Sequence, residues 1–189
     1  MDVGCGGKPY RSCFSLATEY KGLDVVPGPA VDVVVARDKQ WPLPSEYFDV
    51  LLSSQMLQFA SDLDLTLGEM KRVLKHGGTA VLTFPFIYNE HTAPYDLQRF
   101  SVYRAAQMFS GYDVHIERQG GIGSTLCILL LNWIEMSLNR SFPTRLFKAF
   151  MLPLWMALSL ALNTLGLLVD YLDRTDAFYS NVLIVAHKP

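Results

Sequence analysis

The chain has 189 residues and a formal net charge of −2, which is enough length for one domain with a core. This charge balance argues against a nucleic-acid-binding protein, because such proteins normally carry a basic surface. Hydrophobic residues make up 50% of the chain, and its three cysteines lack the spacing of a disulfide framework or a zinc site. A reducing, cytoplasmic setting is therefore predicted.

A glycine-rich turn, Asp2-Val-Gly-Cys-Gly-Gly7, opens the chain. Glycines at such a turn permit φ > 0 and leave room for a ligand, as cofactor-binding loops require. A dinucleotide fingerprint needs a glycine where Pro9 stands, so an NAD-dependent oxidoreductase is disfavoured. Asp24 follows at the distance expected for a carboxylate that accepts two ribose hydroxyls. A nucleoside cofactor without a pyrophosphate fits both observations.

Predicted strands and helices alternate along the next hundred residues. In chain order they are a helix over 11–20, strands over 22–26, 31–36 and 48–54, a helix between Ser61 and Gly77-Gly78, a strand over 79–84, a helix over 102–109 and a strand over 112–118. This alternation predicts an α/β fold with a Rossmann-like, doubly wound, mostly parallel sheet. Met1 falls where the first strand should already be ending, so either the N-terminus lies upstream or the domain is a fragment.

The glycine turn, extended by Lys8-Pro-Tyr10, resembles motif I of the class I S-adenosylmethionine (SAM)-dependent methyltransferases of the type 11-like group. Four later stretches resemble the following motifs of that family: Gly22-Leu-Asp-Val-Val26, Trp41-Pro-Leu-Pro44, Phe48-Asp-Val-Leu-Leu52 and Glu69-Met-Lys-Arg-Val-Leu-Lys-His-Gly-Gly78. The resemblance covers residues 1–118 and a final strand, with a shortened N-terminus and a hydrophobic C-terminal insertion. It implies SAM as the cofactor.

The resemblance also implies a set of cofactor-binding residues, namely Asp2, Gly4, Cys5, Gly6, Asp24 and Asp38. Gly4 and Gly6 would admit the methionine part of SAM, Asp24 would bind the ribose, and Asp38 would bind the adenine amine. Two alternatives stay open at the last position. Arg37 could occupy the place of the usual acid, and Asp38 could be an ordinary solvated loop residue.

A second element that resembles the family follows the fifth strand and implies that His91, Tyr95 and Arg99 contact the substrate. His91 is also the candidate catalytic base, because histidine is the side chain most often used for proton transfer. The alternatives are that His91 only bonds a loop backbone and that Arg99 pairs locally with Asp96. Gln58 and Phe59 replace the family's usual Glu-His pair.

The C-terminal third is strongly apolar. Glu135 is the one charged residue in 124–138. Residues 149–169 contain no charged residue, and this second segment has the length of a membrane-spanning helix. The last strand must return to the sheet, so the chain can cross a membrane only an even number of times. A two-span hairpin would carry Arg140, Arg145 and Lys148 to the far side, against the positive-inside rule.

A monotopic arrangement on one leaflet avoids this penalty, with the same cations facing anionic headgroups. The alternative is that the apolar helices cover the sheet or form a homodimer contact without lipid. The predicted domains are a SAM-binding core over 1–123, a hydrophobic helical insertion over 124–176 and a last strand over 177–189, with peripheral membrane contact through 124–172.

The predicted function is methyl transfer from SAM to a small or lipid-linked acceptor, such as a lipid-linked sugar, at the inner face of the membrane. The alternative is an inactive methyltransferase-like binding or scaffold module. It is favoured by the short first strand, by Arg37 and by the missing Glu-His pair. No metal ion and no nucleic acid is expected.

Overall fold

The computed structural model describes residues 1–189, apart from the side chain of Thr144. The strands are β1 (Asp2–Val3), β2 (Gly22–Asp24), β3 (Val33–Val34), β4 (Phe48–Ser54), β5 (Leu74–Pro85), β6 (Asp113–Gln119) and β7 (Asn181–His187). The helices are α1 (Leu63–Val73), α2 (Val102–Met108), α3 (Ile122–Leu138), α4 (Phe142–Phe150) and α5 (Leu152–Leu172).

Among the described residues, seven strands form one sheet in the order β3-β2-β1-β4-β5-β7-β6. Strand β1 pairs in parallel with β2 and β4, β2 with β3, and β4 with β5. Strand β7 runs antiparallel to β5. The Lys188 backbone N–H donates to the Gly78 carbonyl, and the side chains of Thr79 and His187 are hydrogen-bonded, so the contacts advance by one residue on β5 as they go back by one on β7. The predicted doubly wound, mostly parallel sheet is confirmed.

Two compact units divide the chain. The first comprises Met1–Pro85, Thr92–Glu117 and Val182–Pro189, and the second comprises Phe86–His91 and Arg118–Asn181. The core of the first unit is built from buried apolar side chains of the strands and of α1 and α2. Its members include Leu51, Leu82, Phe84, Val182 and Ile184 on strands and Met70, Val73 and Ala105 on helices.

The first unit differs from the sequence prediction in one helix and at the ends of several elements, with β2 (Gly22–Asp24) and β3 (Val33–Val34) shorter than predicted. The predicted helix over 11–20 is wrong, since only a 3₁₀ helix over Arg11–Phe14 forms. Leu16, a member of the predicted apolar face, is 98% exposed and has nothing to pack on, and short helices have little stability in water without such packing. Helix α1 also ends at Val73, earlier than predicted, because Leu74 is buried and pairs with Phe48 at the start of β5.

In the second unit, α3 and α5 pack at very short distance. A Cβ atom on Gly123 would lie 2.2 Å from the carbonyl oxygen of Gly166, so glycine is required where the two backbones meet. The Asp170 carboxylate on α5 accepts hydrogen bonds from the first turn of α3, from the backbone N–H of Gly123 at 2.7 Å and of Ser124 at 3.2 Å. This carboxylate satisfies donors that a helix N-terminus otherwise leaves unpaired.

Helix α4 was not predicted and lies between the two apolar helices in sequence. Lys148 on α4 forms an ion pair with Glu135 on α3, and the Arg145 Nε atom donates to the carbonyl of Asn139 at 2.9 Å. Within the described part of the chain, α5 is the one helix that is long and apolar enough to cross a membrane.

Candidate functional site

A cavity of about 290 Å³ lies in the first unit at the carboxyl ends of β1 to β4. The strand order reverses between β1 and β4, and ligands of open α/β sheets bind at such a switch point. The lining side chains come from the ends of these strands and from two loops, and they include Gly4, Asp24, Arg37, Asp38, Trp41, Gln55, Met56 and Tyr95. The cavity therefore brings together three of the predicted cofactor residues and one predicted substrate residue.

The glycine turn has the left-handed conformation that its residues predict. Gly4 has φ of +72° and Gly6 has φ of +46°. A Cβ atom on Gly4 would lie 2.4 Å from Cγ of Met56, so this glycine is needed for close packing, whereas a Cβ atom on Gly6 would meet no atom within 4 Å. The turn is thus closed on one side by Met56 and open at Gly6.

Asp24 joins this turn to the end of β2. Its Oδ2 atom accepts the backbone N–H of Gly6 at 3.0 Å, and its Oδ1 atom accepts that of Val26 at 3.1 Å. A carboxylate offers about four lone-pair sites, so two acceptor sites remain on a half-buried group that lines the cavity. This arrangement can accept hydrogen bonds from two vicinal hydroxyls.

Asp38 lines the cavity but its carboxylate is engaged at the start of α1. Both of its oxygens lie within 2.9 Å of the Ser61 hydroxyl, and Oδ1 also accepts the backbone N–H of Asp62 at 3.0 Å. The neighbouring Arg37 places its guanidinium 4.4 Å from the ring centroid of Tyr95, within cation–π distance. The cavity wall after β3 is therefore formed by Asp38, which is hydrogen-bonded to the start of α1, and by Arg37, which lies over the ring of Tyr95.

Asp2 and Cys5 lie outside the cavity lining. Asp2 is 2% exposed and accepts the Tyr20 hydroxyl at 2.7 Å, and its burial raises the pKa of the carboxyl. Burial likewise raises the pKa of the Cys5 thiol to about 11. A Cβ atom on Gly22 would lie 2.6 Å from the Cys5 sulfur, so Cys5 packs directly on β2. These two side chains support the turn from beneath.

The remaining substrate candidates lie in different units. Arg99, in the first unit, bonds Asp96 through Nη2 at 2.7 Å, and the Asp96 side chain is only 3% exposed. Arg99 therefore forms the local pair that was the alternative interpretation, and it lies outside the cavity lining. His91 belongs to the second unit, where its ring stands edge-on to Tyr88 at 5.5 Å.

Sequence reasoning missed a chain of hydroxyl groups at the carboxyl ends of β4 and β5. The Tyr10 hydroxyl lies 3.0 Å from Ser54 Oγ, and Ser54 Oγ lies 3.1 Å from Thr83 Oγ1. The amide of Gln55, which lines the cavity, donates to the same Thr83 oxygen at 3.3 Å. Ser54 and Thr83 are register partners in parallel strands, a pairing that only the sheet topology reveals.

A buried ion pair fixes the cavity wall at Trp41 and was also missed. Glu69 is 5% exposed, receives two hydrogen bonds from Arg72 at 2.7 and 2.8 Å, and accepts the Trp41 backbone N–H at 2.7 Å. Arg72 also donates to the carbonyl of Leu43 at 2.8 Å. The bonds from Arg72 lower the pKa of the Glu69 carboxyl below its ordinary value.

Replacing Glu69 by glutamine is expected to lower the free energy of unfolding by about 2 kcal/mol at neutral pH, because Arg72 then loses its charged partner. A carboxyl whose folded pKa is depressed stabilises the fold above its unfolded pKa of about 4.3, and this contribution disappears as pH falls through the folded pKa. The difference in the free energy of unfolding between wild type and Glu69→Gln should therefore become smaller in acid. Urea unfolding across a pH series measures it.

The control for this pH series is Glu117→Gln, a change to an exposed carboxylate on β6 that is expected to stay within about 0.5 kcal/mol of wild type. A Glu69→Gln variant as stable as wild type at neutral pH would contradict the expectation. So would a stability gap that widens in acid.

Comparisons with known proteins agree with this architecture. Residues 1–82 match the family model described as a methyltransferase domain. No curated relative matches the sequence. Among solved structures, the [4+2]-cyclase SpnF is similar with a TM-score of 0.58 at 18% identity, over 100% of this chain and 73% of that chain.

Two further structures are similar over nearly the whole chain. Haemonchus contortus phosphoethanolamine N-methyltransferase 2, in complex with phosphomonomethylethanolamine and S-adenosylhomocysteine, has a TM-score of 0.58 at 16% identity, over 100% of this chain and 48% of that chain. This chain thus spans about half the length of that enzyme. A SAM-dependent methyltransferase from Archaeoglobus fulgidus has a TM-score of 0.57 at 16% identity, over 99% of this chain and 84% of that chain.

At these identities the solved structures establish a shared fold, and the family model adds the methyltransferase signature over the segment that forms β1 to β4 and most of β5. The cavity at the switch point and the carboxylate at the tip of β2 fit a nucleoside cofactor. Residues 1–82 are similar to the methyltransferase domain family, and the chain shares its fold with SAM-dependent methyltransferases of known structure.

Proposed function

We propose that this methyltransferase holds SAM in the cavity between the ends of β1 and β4 and methylates a small or lipid-linked acceptor, such as a lipid-linked sugar, at a membrane surface. The observation that carries the cofactor site is the Asp24 carboxylate, which lines the cavity while it is bonded to the glycine turn. The membrane location is supported by α5, in whose apolar stretch only 6% of the residues are buried.

Each part of the cofactor has a matching wall in this proposal. The two remaining acceptor sites of Asp24 receive the ribose hydroxyls, and the open side of the turn at Gly6 admits the methionine part. Arg37 and Asp38 border the adenine end, with Tyr95 stacked on Arg37 as the outer wall. Asp2 and Cys5 act as supports of the turn.

SAM, when bound, supplies an electrophilic sulfonium methyl group. The task of the protein is then to orient the acceptor and exclude water, and orientation can supply roughly 7 to 11 kcal/mol of the barrier. His91 is proposed as the base that takes the proton of the acceptor, a role that adds roughly 10²- to 10⁴-fold. Tyr95 is proposed as an acceptor contact, and Arg99 as a second contact that keeps its pair with Asp96.

Calorimetric titration of the intact chain with SAM tests the cofactor part of the proposal. Binding with a micromolar dissociation constant, together with transfer of labelled methyl groups to lipid or sugar extracts, is expected. A well-folded sample that gives no binding heat would contradict the proposed cofactor site.

An inactive binding module is the second candidate, and Gln58 favours it. This residue stands where the family usually has a charged side chain, is fully buried, and donates its amide to the carbonyl of Gln55 at 2.7 Å. It therefore acts as a structural link in the loop after β4. SAM binding without methyl transfer to any extract would support this candidate over the enzyme.

A further inference from the structure

We propose that the three helices of the second unit are immersed in one leaflet of a lipid bilayer. Arg140 and Arg145, between α3 and α4 and on α4, then lie against anionic headgroups. This inference rests on the membrane location in the proposed function and specifies which surface makes the contact. It does not depend on cofactor binding, so the two can fail separately.

The distribution of apolar residues around α5 argues for lipid over a protein partner. At about 100° per residue, its exposed apolar side chains occupy an arc of roughly 260°. They include Leu152, Met156, Leu160, Leu168, Leu158 and Val169. The remaining arc holds Leu162 and Gly166, which contact α3. A helix that docks on a protein needs an apolar stripe of about 100°, whereas lipid surrounds a helix on every free side.

The path of the chain excludes a single crossing. Asp170 near the end of α5 caps the first turn of α3 at Gly123 and Ser124, so the chain enters and leaves this helix pair at the same end. A double crossing requires both helices to span about 30 Å of hydrocarbon. Helix α3 has 17 residues and reaches only about 25 Å at 1.5 Å per residue. Because α3 falls short of this span, we place the pair within one leaflet.

Helix α4 has the pattern of a helix in the plane of the interface. Its exposed apolar residues Phe142, Leu146, Phe147 and Phe150 fall within an arc of about 140° at 100° per residue, and Arg145 lies on the opposite side. Arg140 precedes α4 and is also exposed. Among the described ion pairs, neither arginine has a carboxylate partner, which leaves their charge available to anionic headgroups.

The test is flotation of the intact chain with two kinds of vesicle, phosphatidylcholine alone and an equal mixture of phosphatidylcholine and phosphatidylglycerol. The protein is expected to float with both and to bind the anionic vesicles more tightly. The double variant Arg140→Gln/Arg145→Gln should lose about fivefold in partitioning to anionic vesicles for each cation removed. The matched control Arg11→Gln/Arg104→Gln removes two exposed cations of the first unit and should float like wild type.

Three results would overturn parts of this inference. A chain that stays at the bottom with both vesicles, or that sediments as a dimer and does not float, contradicts lipid contact. Equal flotation of wild type and Arg140→Gln/Arg145→Gln contradicts the headgroup contact. To test immersion in one leaflet, Arg140→Cys in a Cys13→Ser background should react with an impermeant maleimide added outside the vesicles, and protection of that thiol would indicate a double crossing instead.

Discussion

Replacing Asp24 by alanine is expected to raise the dissociation constant of SAM roughly 100-fold, because the ribose loses two charge-assisted hydrogen bonds and the glycine turn loses its tie to β2. Asp24→Asn keeps the shape and one acceptor oxygen, so we expect a smaller loss of roughly 10-fold. Titration calorimetry with SAM measures both constants.

The matched control is Asp113→Ala, which removes an exposed carboxylate from the edge strand β6 and should leave SAM affinity unchanged. Thermal unfolding of each variant shows whether the fold persists. Wild-type affinity in a folded Asp24→Ala variant would contradict the ribose assignment, even if SAM binds elsewhere on the protein.

Replacing Gly123 by alanine is expected to open the α3–α5 pair, because the new Cβ atom would lie 2.2 Å from the Gly166 carbonyl oxygen and 2.8 Å from Cβ of Val169. Overpacking of this kind costs about 1 to 3 kcal/mol, which corresponds to amide exchange in both helices that is about 5 to 150 times faster. Hydrogen exchange of the vesicle-bound chain measures these amide exchange rates. Gly166→Ala should also make exchange in both helices faster.

Gly68→Ala is the control for this change, because a Cβ atom at this helical position in α1 meets no atom within 4 Å. The substitution should stabilise α1 by about 0.5 to 1 kcal/mol, the usual preference for alanine over glycine in a helix. Unchanged exchange of α3 and α5 in Gly123→Ala would show that the two backbones do not meet at Gly123.

The sheet could be predicted from sequence because its signals are local. The glycine turn and the β-branched run near Val33 mark strands through the chemistry of a few adjacent residues. The helix predicted over 11–20 did not form because a periodic pattern shows only that a face could be buried. Whether that face finds a partner depends on residues elsewhere, and Leu16 finds none.

The candidate site shows the same division. Gly4 and Asp24 were predicted to share a site, and they line one cavity. Asp2 was predicted from the motif to bind the cofactor, yet its side chain is buried against Tyr20, since the alternation of a strand sends neighbouring side chains to opposite faces. The predicted cofactor role of its carboxylate stays untested.

Contacts between distant residues were beyond sequence reasoning. The hydroxyls of Ser54 and Thr83 meet because β4 and β5 pair in a particular register. Asp170 caps α3 by accepting the backbone N–H of Ser124, which lies 46 positions earlier in the chain. Nothing in the local sequence of either helix encodes that contact. Such pairs follow from tertiary packing, which the sequence specifies only through the whole fold.

The crystal structure of the intact chain with S-adenosylhomocysteine tests the central claim most directly. The cofactor product should occupy the cavity between the ends of β1 and β4, with both ribose hydroxyls about 2.6 to 3.2 Å from the Asp24 carboxylate and the adenine beside Arg37. Density for the ligand outside this cavity, or a ribose that makes no contact with Asp24, would contradict the account.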